Sequence, residues 1–293
     1  MSAPIYNGRP IEELIDLAHD RLMRAYHEHV APTHKLAGNV VLFSGGGDST
    51  ALLDVMCRTR LVTHVAHIDT TIGIPETREH VERVVSDYQA RYEDVQFVVE
   101  SPDEGDRYED WILGHGFPGP GQHFKAYQRL KERALRKVRR RLVENGREQR
   151  VIFIAGRRRD ESARRSGIPQ SERDGSIVWV SPIYDWTNEE VANYRRHFDL
   201  PSNPVSDHLH MSGECLCGAF AKEGELDEIA FFYPEVADRI RKLEVAVAES
   251  GAPAERCRWG WGAYRNKPNP EDIETSPLCS SCEYRHDSAG EGQ

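Results

Sequence analysis

Short apolar runs at residues 40–43, 62–68, 96–99, 151–155 and 177–180 alternate with longer stretches in which apolar residues recur every three or four positions. The runs have the length of buried strands, and the stretches have the period of amphipathic helices. Their alternation predicts an α/β fold, an open parallel sheet with helices on both faces. A leading helix is expected over residues 10–30, where Ile11, Leu14, Ile15, Ala18, Leu22 and Ala25 recur at near-helical spacing behind Pro10. Further helices are expected over 76–92 behind Pro75, over 191–198 behind Thr187 and Glu190, and over 122–142, where Phe124, Tyr127, Leu130, Leu135, Val138 and Leu142 form one stripe. Past residue 201 the rhythm changes. One helical stretch is expected within 223–249, and the remainder is rich in Gly, Pro, Trp and Cys. The pattern divides the chain into residues 1–200 and a small irregular Cys-rich region, 201–293, whose last residues, 287–293, read as disordered.

One junction in this pattern carries chemistry. Ser44-Gly45-Gly46-Gly47-Asp48-Ser49-Thr50 follows the run 40–43 directly and leads into the helical run that begins at Ala51. A strand that turns through glycines into a helix N-terminus lets backbone N–H groups converge on an anion that the helix dipole favours. Such a loop lies at the carboxyl edge of a parallel sheet, where ligands bind. The segment has neither the Gly-Lys-Ser/Thr ending of a P-loop nor the Gly-x-Gly-x-x-Gly spacing of a dinucleotide fold. The other reading is a glycine turn with no ligand.

Composition narrows the partners. The 293 residues carry a net charge of −10, with arginine concentrated in a few segments. An acidic whole argues against general polyanion binding, while a local basic patch can still attract phosphate. No apolar stretch approaches the roughly 18 residues of a membrane span. The opening Met1-Ser2-Ala3-Pro4-Ile5-Tyr6 has no basic segment followed by an apolar core, so a cytoplasmic protein without a membrane partner is expected. In that compartment the six cysteines read as ligands, nucleophiles or core residues.

The glycine loop resembles the Ser-Gly-Gly-x-Asp-Ser signature of the PP-loop, or adenine nucleotide α-hydrolase-like, superfamily, whose HUP-like members typically cut ATP between the α and β phosphates. His67-Ile68-Asp69-Thr70, followed by Pro75-Glu76-Thr77, resembles the strand-Asp-Thr…Pro-Glu-Thr segment of the phosphoadenosine phosphosulfate (PAPS) reductase branch. Gly156-Arg157, followed by Glu161-Ser162 and Arg164-Arg165, resembles the same branch's Gly-x-Arg…Glu-Ser…Arg segment. The resemblance implies that Ser44, Gly45, Gly46, Gly47, Asp48 and Ser49 hold the phosphates of ATP with Mg²⁺. It places Asp69, Thr70 and Gly156 with the nucleotide, and makes Arg157 and Arg164 anion contacts beside Arg165. Arg offers a fixed fork of donors for such oxyanions, although pairing of these arginines with Asp160 and Glu161 on a solvated surface is the plainer alternative. Asp48 is the candidate for organising Mg²⁺ or, alternatively, for capping the helix. Reductases of this branch have an altered glycine loop and a C-terminal Glu-Cys-Gly-Leu-His segment. This chain keeps the ATP-cleaving loop and carries Cys279-Ser280-Ser281-Cys282 instead, which favours an ATP pyrophosphatase.

Cys215 and Cys217 form one close pair, and Cys279 and Cys282 another, with Cys257 between them as a substitute ligand. Two such pairs supply four thiolates, enough for a [4Fe–4S] cluster. Zinc and free redox-active thiols are the alternatives, the Cys-x-Cys spacing being unusual for a zinc ribbon. His208, His210 and His286 are nearby alternative ligands, and Cys57 reads as core. Lys125, Arg129, Lys131, Arg133, Arg136, Lys137, Arg139, Arg140 and Arg141 decorate the helix expected over 122–142. This row would track a nucleic-acid backbone or, more plainly, form a solvated face. Joined to the cysteines, the ATP loop resembles the sulfur-mobilising enzymes of DNA phosphorothioation and tRNA thiolation. That likeness implies an enzyme that adenylates an acceptor for sulfur transfer and works with a sulfur donor such as a cysteine desulfurase. The other expectations are a reductase of adenylyl sulfate or PAPS, and a nucleotide-binding subunit of a modification complex without turnover.

Overall fold

Six strands form one sheet in the order β3-β2-β1-β4-β6-β5. They are β1 (Lys35–Leu42), β2 (His64–Ile68), β3 (Gln96–Glu100), β4 (Gln149–Ile154), β5 (Ser171–Asp174) and β6 (Ile177–Val180). The protein is described by a computed structural model covering residues 8–31, 33–161 and 167–264. Val40 lies in register with His64 on one side and Phe153 on the other, both in parallel pairings. The open parallel sheet expected from the apolar runs is present, with one edge strand, β5, running antiparallel to β6. Its residues, Ser171-Glu172-Arg173-Asp174, bear no apolar alternation because an edge strand gains more from charge that blocks further pairing than from burial.

Period-two alternation along the strands builds a core on each face. Val41, Ile152, Ile154, Val178 and Val180 pack on one side with α1 (Ile11–His29), α2 (Gly47–Arg58), α3 (Pro75–Arg91) and α7 (Asn188–His197). Val40, Val151, Phe153, Ile177 and Trp179 pack on the other with Ala134, Leu135 and Val138. Those three residues lie on α6 (Arg133–Leu142), which continues α5 (His123–Tyr127) through a π turn over Gln128–Glu132, so the single helix expected over 122–142 is a rod with one widened turn.

A third apolar cluster joins the two parts of the chain. Ile72, the short helix α4 (Tyr108–Ile112), Phe117 and Leu130 pack with Val205, Leu216, Ile240 and Trp259. The change of rhythm near residue 201 therefore marks a change of architecture within a shared core. There the chain forms α8 (Pro204–Leu209), α9 (Glu225–Phe232) and α10 (Pro234–Glu249). The helical stretch expected within 223–249 is two helices because Pro234 lacks the N–H that would continue the first. The turn-rich segment 116–121 is packed down, with Phe117 N donating to Arg256 O at 2.8 Å and Trp261 Nε1 to Phe117 O at 2.8 Å. Among the described residues, no helix is long and apolar enough to cross a membrane.

Candidate nucleotide site

The strand order reverses between β1 and β4, and the loops leaving the two strands part there to leave a crevice. A cavity of about 370 Å³ fills it, within the size range of small-molecule sites. Its lining has two characters. Leu42, Ala66, Ile68, Leu135 and Ala155 make an apolar part suited to a planar base, whereas Ser44, Gly46–Ser49, Arg158, Arg195 and Ser212 make a polar part suited to an anion.

The glycine loop forms the polar part. Gly45 has φ +79°, and a Cβ there would stand 2.9 Å from Val81 Cγ2 of α3. Gly47 opens α2, and a Cβ on it would stand 2.9 Å from Arg195 Nη1. No side chain caps α2, so its N-terminus faces the cavity with its dipole available to an anion. Ser49 Oγ donates to Gly46 O at 2.9 Å and accepts from Ser44 N at 3.3 Å, which ties the loop to the first turn of the helix. The buried Asn203 staples the loop from outside, its Nδ2 donating to Gly45 O at 3.1 Å and to Ser212 O at 3.0 Å.

Asp48 meets a partner that its sequence position does not announce. Its Oδ2 lies 3.0 Å from Nε of Arg158, a buried side chain that also donates to Trp186 O at 2.9 Å and to Asn188 Oδ1 at 2.8 Å. Burial works against the Arg158 charge, but Asp48 outweighs it and raises the guanidinium pKa. Asp48 is thus neither a cap nor an isolated carboxylate. A Mg²⁺ ion held by one carboxylate plus phosphate oxygens fits here, because Mg²⁺ in such sites takes few protein ligands and Asp48 belongs to the loop itself.

The remaining expected residues divide. Arg157 lines the cavity but is buried, its Nε donating to Ser181 Oγ at 2.9 Å and its Nη1 to Glu172 Oε1 at 2.8 Å, so the edge strand β5 anchors it. Gly156 also lines the cavity and brings the backbone after β4 against Asp48. Asp69 and Thr70 are not part of the lining. Asp69 pairs with Arg78 and accepts from Thr71 N, while Thr70 is buried and donates to Glu214 O at 2.5 Å. Thr70 thereby ties the end of β2 to Glu214 of the wall, and Ala66 and Ile68 of β2 line the cavity. Arg164, Arg165, Cys279, Cys282 and His286 lie outside the described residues.

Lys131 sits on the π turn, lines the cavity and pairs with Glu214 at 2.5 Å. π turns often occur at functional sites, and this one turns a cation of the basic row inward. The rest of that row is largely neutralised. Arg129 and Arg133 share Asp106, Lys137 meets Asp103, Arg136 meets Glu132, Arg141 meets Glu100, and Arg139 donates to Ser176 Oγ. Among the described residues all but Lys125 and Arg140 have such a partner, several of them in exposed pairs.

Glu214 is followed directly by Cys215-Leu216-Cys217, so the cysteine pair adjoins the cavity wall. The pair is rigidly presented. Trp259 Nε1 donates to Leu216 O at 2.9 Å, Tyr108 Oη donates to Cys217 O at 2.9 Å, and a Cβ on Gly218 would strike Trp259 at 2.6 Å. The hydrogen bond with Cys217, followed by burial, holds the Cys215 thiol well above its usual pKa. Two sulfurs within hydrogen-bonding reach fit one half of a four-thiolate set. Among the described residues no three metal-binding side chains converge, and Cys257 instead points at Ala252 O and Pro253 O. His208 stacks on Phe232 and bonds Tyr233, His210 lines the cavity, and Cys57 is core.

Arg195, Asn203, Lys131 and Glu214 are the site residues that no local motif reveals. The signal present for Arg195 is helical spacing, since Asn188, Val191, Ala192 and Arg195 all line the cavity from one face of α7.

The phosphoadenosine phosphosulfate reductase domain model matches residues 38–213. A phosphoadenosine 5′-phosphosulfate reductase of Aliivibrio fischeri is 25% identical over 180 residues, 60% of this chain and 66% of that protein, so the match spans about two thirds of the relative's own length. Among solved structures, a PAPS reductase from Candida auris in a phosphate complex is 18% identical, with a TM-score of 0.45 over 70% of this chain and 94% of its own. The U34-tRNA thiolase NcsA from Methanococcus maripaludis with its [4Fe-4S] cluster is 12% identical, with a TM-score of 0.42 over 83% and 81%. With a glycine loop, a crevice at the strand reversal and a family match over more than half its length, the chain belongs to the phosphoadenosine phosphosulfate reductase domain family of the PP-loop superfamily.

Proposed function

We propose that this protein is an ATP-dependent sulfur-transfer enzyme that forms AMP and pyrophosphate. The observation that carries this reading is the contiguity of two chemistries. Glu214 lines the cavity that holds the glycine loop, and Cys215 and Cys217 follow it directly in the chain. In the reaction an acceptor oxygen attacks the α phosphate of ATP, the bond to the β phosphate breaks, and pyrophosphate leaves with Mg²⁺. A sulfur nucleophile then displaces AMP from the adenylated acceptor. The chain's own part is position and charge. The α2 N-terminus and the cavity guanidinium groups stabilise the transferring phosphate, and Asp48 would hold a Mg²⁺ that neutralises charge on the leaving pyrophosphate. Lys131 neutralises charge where Glu214 joins the cysteine loop. A cluster on Cys215, Cys217, Cys279 and Cys282 would hold labile sulfur or supply electrons. A nucleic acid modified at its backbone or bases is the acceptor class, and a cysteine desulfurase the donor class, that this reading brings.

One observation favours a second reading. The curated relative above is a PAPS reductase, and a cavity that takes a nucleotide beside cysteines also suits reduction of an adenylyl sulfate. The test is product analysis on anaerobically prepared protein. AMP and pyrophosphate formed from ATP, dependent on an acceptor and a sulfur donor, support sulfur transfer. Sulfite released from adenylyl sulfate or PAPS without ATP cleavage supports reduction. Tight ATP binding without either product supports a non-catalytic subunit.

A further inference from the structure

The cations of the cavity are not equivalent. Arg157 is held by Glu172, Arg158 by Asp48 and Lys131 by Glu214. Arg195, half-buried on α7, has neither a carboxylate nor a hydrogen-bond acceptor among the described residues, and its Nε is buried without a partner. Its guanidinium lies against Gly47, the first residue of α2, with Nη1 2.9 Å and Cζ 3.5 Å from where a Cβ would stand. Any side chain on Gly47 would displace it. An uncompensated guanidinium and an uncapped helix N-terminus thus converge on one end of the cavity. Ser206 lines the same cavity with a buried hydroxyl that has no partner. A group with several anionic oxygens at that end satisfies the guanidinium and the helix N-terminus together, because a guanidinium binds such oxygens through a planar fork while backbone N–H groups take others.

We propose that Arg195 receives the terminal, unesterified phosphates of a nucleoside triphosphate, which makes the Gly47 end of the cavity a pyrophosphate subsite. The assignment rests on the ATP reading above and deepens it, since it names the residue that discriminates a triphosphate from nucleotides lacking the β and γ groups. A sulfate brings a single charge to this end, whereas a pyrophosphate group brings several and matches a positive end that the protein leaves uncompensated.

The test is calorimetric titration of the full chain with ATP, inorganic pyrophosphate, AMP and adenosine 3′,5′-bisphosphate, in Mg²⁺ and without an acceptor. Arg195→Ala should weaken ATP and pyrophosphate by about tenfold or more and AMP by less than about twofold, with Arg195→Lys recovering part of the loss. Arg196→Ala, at the exposed neighbour that bonds Asn193, should bind as the wild type does. Wild-type protein that binds ATP, with an Arg195→Ala variant of equal affinity, overturns the Arg195 assignment alone. Wild-type protein that binds the bisphosphate and not ATP overturns the ATP reading itself. Thermal melts of each variant without ligand separate loss of fold from loss of binding.

Discussion

Asp48 and Arg158 hold one another across the point where the strand order reverses, one from the first turn of α2 and the other from the segment after β4. Both residues line the cavity, so the pair neutralises one of its guanidinium groups while Arg195 keeps its charge unpaired among the described residues. Asp48→Asn removes the partner of a buried guanidinium, which should lower stability by about 1–3 kcal/mol. Chemical denaturation of Asp48→Asn, Arg158→Met and the double variant checks this. The account requires the double variant to lose less than the sum of the singles, and strict additivity would contradict it.

Asn203 connects three things at once. It caps α8 by accepting from Val205 N at 3.0 Å, and it holds both Gly45 O and Ser212 O. Asn203→Ala should cost about 1–3 kcal/mol, a cap plus unsatisfied buried carbonyls, and should weaken nucleotide binding although Asn203 is not part of the cavity lining. Equal ATP affinity in a folded Asn203→Ala variant would show that the loop keeps its shape without this staple.

His80 lies behind the glycine loop, buried, with neither ring nitrogen hydrogen-bonded. Burial first, then Arg83 and Arg195, push its pKa down from 6.5 to about 4, with Asp207 opposing them. The folded value lies below the unfolded one, so its contribution to stability is full above about pH 6.5 and is lost as pH falls toward 4. The loss has an upper bound on the order of 3 kcal/mol. His80→Phe should flatten the stability profile between those values without lowering stability at neutral pH. An unchanged slope would place the titration on other groups.

Trp259 clamps the cysteine loop through Leu216 O. Trp259→Phe keeps most of the packing and removes that hydrogen bond. If the proposed cluster on Cys215 and Cys217 is present, its metal should then be released to a chelator faster than from the wild type, followed by absorbance of the chelate. Equal release rates would separate Cys215 and Cys217 from the metal.

Much of the sheet was legible because β1, β2, β4 and β6 are buried and read as apolar runs. The glycine loop was legible because its chemistry is local, a strand end, a turn and a helix start in one stretch of chain. Strand β5 was not, since its polar edge residues carry no periodicity. The partners that complete the site were also hidden. Arg158 is one of three consecutive arginines, 157–159, and its pairing with Asp48 depends on the adjacency of β1 and β4, which are distant in sequence. Lys131 was legible as a cation and misleading as to face, because the π turn shifts the register of the helix that carries it. Arg195 and Asn203 come from beyond residue 190, where the chain returns over the loop.

The most direct test of the account is nucleotide product analysis with α-labelled ATP, using anaerobically prepared full-length protein, a persulfide donor, and DNA or tRNA as acceptor. Labelled AMP formed in step with sulfur incorporated into the acceptor, and lost in Arg195→Ala at limiting ATP, is the predicted result. Intact ATP under all these conditions, with sulfite released from PAPS or adenylyl sulfate by the same preparation, would contradict it.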